Sequence, residues 1–77
     1  MRSLNVIAQE VMADWKNWRN SYASEYLKAM ATLTSIDDNY YYDSGKSIVL
    51  YFLANVQSWR GETAKRIKQE LKDMCKN

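Results

Sequence analysis

The sequence predicts an all-α fold: a compact bundle of three to four helices with a hydrophobic third helix as its hub. Three observations carry that prediction. Residues 4–36 contain neither Gly nor Pro and space their apolar residues as a helix does. From Ile48 to Val56, Asn55 is the only residue that is not apolar. Finally, Ala64, Ile67, Leu71 and Met74 or Cys75 line one face of a last segment, with Lys65, Lys68, Lys72 and Lys76 off it.

Composition sets the frame for these elements. Seventy-seven residues make a single domain, 1–77. A chain of this size buries only about 60% of its unfolded surface, so its core has to be rich. It is 47% hydrophobic with three Trp and six Tyr, which excludes disorder. Eleven basic residues stand against nine acidic ones, so no global field commits the chain to nucleic acid or membrane. One Cys forms no internal disulfide, which makes the cytoplasm the expected compartment. Asn5, Gln9, Glu10 and Asp14 interrupt any signal-like apolar run. Ile48–Val56 is far shorter than the roughly 20 residues a membrane span needs, so no membrane partner is expected.

The first helix follows from Leu4, Ala8, Val11, Trp15, Trp18 and Tyr22, one stripe widened by Ile7 and Met12, with Ser3 as its N-cap. Glu25 breaks the repeat, which resumes at Tyr26, Ala29 or Met30, and Leu33. Asn20-Ser21 precedes the slip, so the reading is two helices, 4–19 and 21–34, with one continuous helix as the alternative. Thr34–Ser44 has turn chemistry in Asp37, Asp38, Asn39 and Asp43. Asp43 or Ser44 caps the third helix. Residue type alone leaves helix and strand open for Ile48–Leu53, and helix is chosen because no second strand-like run exists to pair with it. The last helix is the clearest: Glu62 and Arg66 form an i,i+4 pair, and acid early with Lys late suits the helix dipole.

Little in the chain suggests catalysis. It has no His, the commonest general base, and neither Asp37 with Asp38 nor Glu10 with Asp14 comes with a nucleophile. Cys75 has no His to activate it. Asp37, Asp38, Asn39, Asp43 and Gly45 supply some parts of a calcium loop, but Tyr41 and the lack of a closing Glu break the pattern. The expectation is a non-enzyme with no cofactor and no metal. A helix-turn-helix over residues 50–72 is the DNA-binding alternative. It takes Ala54 in the first helix, Ser58 to Gly61 as the turn, Thr63, Lys65 and Arg66 towards the groove, and Lys68 and Lys72 towards phosphates. The favoured reading is a protein-binding module, because Tyr40, Tyr41 and Tyr42 on one short loop cannot all point inward. Asp37, Asp38 and Asn39 flank them as further contact residues. Trp15, Trp18, Tyr22, Tyr26 and the apolar third helix also exceed what a small monomer encloses, so a homodimer is expected.

Several short motifs in order carry a resemblance: Tyr26-Leu27-x-Ala29-Met30, Asp37-Asp38-Asn39-Tyr40, Tyr42-Asp43-Ser44, Ile48-Val49-x-Tyr51-Phe52-Leu53-x-Asn55, Trp59-Arg60-Gly61 and Lys68-x-Glu70-Leu71-Lys72. Over residues 26–72 the chain resembles short helical proteins encoded by bacteriophages and prophages. That resemblance implies an accessory protein that binds one host component, including a defence component, without catalysis. It also makes Trp59, Arg60 and Gly61 a structural junction: Trp59 plugs it, Gly61 permits a sharp turn, and Arg60 satisfies loop carbonyls or carboxylates, with Asp37, Asp38 or Asp43 as the carboxylate partner. Where such proteins often have a glycine after Asn39-Tyr40, Tyr41 stands here, which weighs against a tight turn at that point.

Overall fold

The computed structural model describes residues 2–76. Four helices, α1 (Leu4–Asp14), α2 (Ser24–Met30), α3 (Gly45–Leu53) and α4 (Glu62–Met74), hold most of these residues. The helical class is as the periodicity requires, but the fold is not all-α. An antiparallel ladder pairs β1 (Asn39–Tyr40) with β2 (Asp43–Ser44), in the register Asn39 to Ser44 and Tyr40 to Asp43.

The first half departs from both helical alternatives. The expected stripe is buried at Leu4, Ala8, Val11, Trp15 and Trp18, together with Ile7. The helix itself stops at Asp14, because Trp15 leaves helical geometry (φ −94°, ψ 90°) and stacks its indole on Trp59, centroids 5.7 Å apart. A single 3₁₀ turn follows at Trp18–Asn20. The Ser21 hydroxyl then donates to the Trp18 carbonyl (2.7 Å) and accepts from the Ala23 N–H (3.2 Å), turning the chain. That turn throws Tyr22 outward, 90% exposed, although the stripe had placed it inside. Ser3 occupies the N-cap position of α1 without making the cap bond; its hydroxyl donates to the Asn5 side chain, and the Leu4 N–H donates to the Thr34 carbonyl. Helix α2 ends early, at Met30, and the Thr32 hydroxyl takes the Ala29 carbonyl.

From Thr34 the turn residues act as their chemistry requires. One Asp38 carboxylate oxygen accepts from the N–H groups of Thr34 (2.9 Å) and Ser35 (3.1 Å). The Gly45 N–H donates to the Asp38 carbonyl (2.6 Å) and the Lys46 N–H to the Ile36 carbonyl (3.0 Å), so the start of α3 is tied to this loop. Of the two expected caps, Ser44 is the one used: its hydroxyl accepts from the Ser47 N–H (3.1 Å).

Helix α3 buries Gly45, Ile48, Val49 and Phe52, while Leu50 and Tyr51 are about half exposed, 48% and 49%. The apolar run is therefore not enclosed on all sides. Helix α4 buries Ala64, Ile67, Leu71 and Met74, the face expected of it. Helices α1 and α3 each pack on both α2 and α4, so the four close a ring around one core.

The Glu62–Arg66 pair expected within α4 does not form. Arg66 pairs instead with Glu10 of α1. Arg2 completes the network, donating to Glu10 (2.7 Å) and through two nitrogens to Glu70 (2.6 and 3.0 Å), a fork that ties the N-terminal segment to α4. Hydrogen bonds from Arg2 first, and for Glu10 from Arg66 next, hold both carboxylates below their ordinary value of 4.5. With folded values depressed, the stabilisation is complete above that pH and is lost as pH falls through the depressed values. The side chains are 33% and 25% exposed, so solvent screening limits the whole contribution to about 1 kcal/mol. Urea unfolding should therefore show stability falling as the pH drops below about 4.5, and falling less steeply in Arg2→Gln. Equal slopes in the two proteins would show that the network contributes nothing.

Candidate binding surface

The loop singled out by its three tyrosines is a hairpin. The pairing of Tyr40 with Asp43 leaves Tyr41 and Tyr42 as its two turn residues. A two-residue turn of this kind needs positive φ at its first central position, where glycine is favoured. Tyr41 takes it at φ +57°, the one non-glycine residue with positive φ among the described residues. The turn is thus tight, against the expectation drawn from the missing glycine. The left-handed conformation costs a residue with a Cβ about 1–2 kcal/mol.

The rings divide between core and solvent. Tyr40 packs against the core, and Tyr41 meets it edge-on with centroids 4.8 Å apart. Tyr41 is 84% exposed and Tyr42 is fully exposed. Asp37, Asn39 and Asp43 are exposed beside them, while Asp38 is half-buried and committed to the turn. The surface is therefore two aromatic rings in an acidic setting.

A second apolar surface comes from the surplus counted at Tyr26 and the third helix. Tyr51 on α3 packs against Tyr26 on α2, centroids 5.5 Å apart, with Leu50 exposed next to it. Trp15 and Trp18, counted on as surplus apolar area, are enclosed instead. Among the described residues, the exposed large apolar side chains are Val6, Tyr22, Tyr41, Tyr42, Leu50 and Tyr51.

At the other end of α3 lies the junction Trp59-Arg60-Gly61. Trp59 is 2% exposed; its indole N–H donates to the Asp14 carboxylate (2.9 Å). Gly61 precedes α4 at φ +116°, a conformation other residues rarely adopt. Arg60 is exposed and pairs with none of Asp37, Asp38 and Asp43, so the ion pair expected of it is not formed within the chain. The Lys68 ammonium donates to the Trp59 carbonyl (2.6 Å) and lies 5.9 Å from its ring centre. Burial lowers the Lys68 pKa, and the charges of Lys72 and Arg60 lower it further. Between this junction and the first turns of α4 runs an open groove of about 390 Å³.

The residues of the DNA-binding alternative are not arranged as that motif needs. The connection from α3 to α4 runs from residue 54 to residue 61, where a helix-turn-helix uses about three or four residues. Ala54, expected at the helix crossing, is exposed. Arg66 is held by Glu10 and Lys68 by the Trp59 carbonyl; Thr63 is half-buried, and of the set Lys65 and Lys72 are the exposed cations with no ion pair among the described residues. Burial raises the pKa of the Cys75 thiol, which disfavours the thiolate a nucleophile needs. No described helix is long and apolar enough to cross a membrane. Compared with protein-family models, curated proteins and solved structures, the chain matches none.

Proposed function

We propose that this chain is a non-enzymatic cytoplasmic binding protein that contacts a protein partner through its tyrosine hairpin and also associates with itself. The supporting observation is Tyr41. At φ +57° glycine would be more stable, yet a tyrosine sits there with most of its ring in solvent, beside the fully exposed Tyr42. Strain of this kind, unexplained by the core, is characteristic of contact sites. Tyrosine supplies contact area at small entropic cost, which suits it to a hot spot. In this reading α3 is the hub of the bundle: its first turn anchors the hairpin, and Leu50 and Tyr51 lie exposed further along it. The resemblance to small phage-encoded proteins agrees with such a role.

A stability measurement at position 41 and a cross-link from position 42 test the proposal together. Tyr41→Gly should be more stable than Tyr41→Ala by about 0.5–1 kcal/mol in urea unfolding, because only glycine relieves the turn. A photo-reactive phenylalanine analogue at position 42 should give a discrete protein adduct in cell lysate, while the same group at the exposed Gln57 gives none. Tyr41→Gly should reduce the position-42 adduct although it does not weaken the fold. Equal labelling from both positions, or an adduct indifferent to Tyr41, would remove the hairpin from the binding surface.

A further inference from the structure

The hairpin and the groove before α4 are complementary surfaces that cannot meet within one molecule. At the hairpin end, Asp37 and Asp43 are exposed beside the rings of Tyr41 and Tyr42, with Lys46 half-buried as the nearby cation. At the groove, Arg60, Lys65 and Lys68 face Glu62 as its one acid, with Trp59 and Ala64 buried beneath them. The distance between them follows from α4. Its last residue, Met74, lines a cavity with Thr34–Asp37, next to the hairpin, while its first turn borders the groove. Thirteen residues of helix separate those ends by roughly 20 Å at about 1.5 Å per residue. No hairpin reaches its own groove.

We propose that the hairpin of one copy docks into the groove of a second copy, so that the chain self-associates head to tail. This rests on the reading of the hairpin as the contact element and names its occupant. Arg60, which pairs with no carboxylate among the described residues, meets Asp37 or Asp43 of the next, and the tyrosine rings lie over the stems of Lys65 and Lys68. The groove, about 390 Å³, is open, so the rings lie across it rather than inside it. Two tyrosines supply about 150–250 Å² each, roughly half of the 800 Å² or so per partner of a standard interface. The association is therefore weak, in the micromolar range or above. Because donor and acceptor surfaces differ, the contact is heterologous and leaves a free hairpin and a free groove at the ends of every open assembly.

Charge reversal at exposed positions tests it by sedimentation velocity, from micromolar to millimolar protein at low salt. One variant carries Asp37→Lys and Asp43→Lys, the other Arg60→Glu and Lys65→Glu; thermal unfolding confirms that each is folded. Wild type should gain mass with concentration and lose it on adding salt. Each variant alone should associate at least tenfold more weakly. The equimolar mixture should associate again, because each reversed surface then faces its opposite. A wild type that stays monomeric throughout overturns the proposal, as do variants that associate undiminished or a mixture that does not recover. If wild type is monomeric but the position-42 cross-link still captures a protein of another mass, the hairpin is a contact element and the second copy is not its occupant.

Discussion

Trp59→Ala should lower the thermal midpoint by about 12–40 °C, the largest loss expected of any single substitution in this chain. Removing a buried tryptophan costs roughly 3–5 kcal/mol, and each kcal/mol moves the midpoint of a domain this size by about 4–8 °C. The upper half of the range applies for a structural reason. Trp59 belongs to the 54–61 connection, and its stack on Trp15 is what fixes the chain where α1 has ended. Deleting one indole therefore leaves a cavity and frees the other. Lys68 loses its ring neighbour in the same step. A total stability of about 0.05–0.15 kcal/mol per residue leaves little reserve in a chain this short.

Two further variants separate packing from hydrogen bonding at the same position. Trp59→Phe keeps an aromatic ring but drops the N–H that donates to Asp14, while Asp14→Ala leaves that N–H unpaired. Each should cost about 1–3 kcal/mol, well short of the alanine variant. The signal to follow is the near-ultraviolet circular dichroism of the stacked indoles. If Trp59→Ala melts within a few degrees of wild type with that signal retained, the stack is not what holds the junction.

The comparison of sequence with structure turns on which partners are local. The faces Leu4–Val11 and Ala64–Met74 were legible because burial there repeats at helical spacing. Periodicity fails at Trp15, where the partner that pulls the backbone out of the helix lies in the last third of the chain. It fails again at Tyr22, which a two-atom contact of Ser21 turns outward. Arg66 had a local acid in Glu62, and nothing in sequence says that Glu10 is the better placed one. Three tyrosines in a row do announce an exposed loop, but which two are exposed depends on the hairpin register. That register follows from ties between residues 34–38 and the start of α3, none of them visible as a pattern.

Gly45 concentrates those ties, and Gly45→Ala should destabilise the fold by about 2 kcal/mol although it adds a good helix former to a helix. Propensity alone predicts the reverse sign, a gain of up to about 1 kcal/mol for alanine over glycine. Space decides against it. A Cβ on Gly45 would lie 2.7 Å from the Ser35 carbonyl oxygen and 2.9 Å from the Ile36 Cα, both backbone atoms that no rotamer can move aside. Relief requires the loop at residues 34–38 to withdraw from α3. That withdrawal stretches the bonds from the Gly45 N–H to Asp38 and from the Lys46 N–H to Ile36, adding to an overpacking cost of about 1–3 kcal/mol. The damage should also be local before it is global. Hydrogen exchange in Gly45→Ala should quicken first at Gly45, Lys46 and the paired residues of the hairpin, with α1 and α4 still protected. Because the hairpin is then no longer held against α3, its cross-linking from position 42 should weaken more than Tyr41→Gly weakens it. Exchange that quickens uniformly, or stability that rises as propensity predicts, would mean that the loop yields freely and that Gly45 does not set the hairpin.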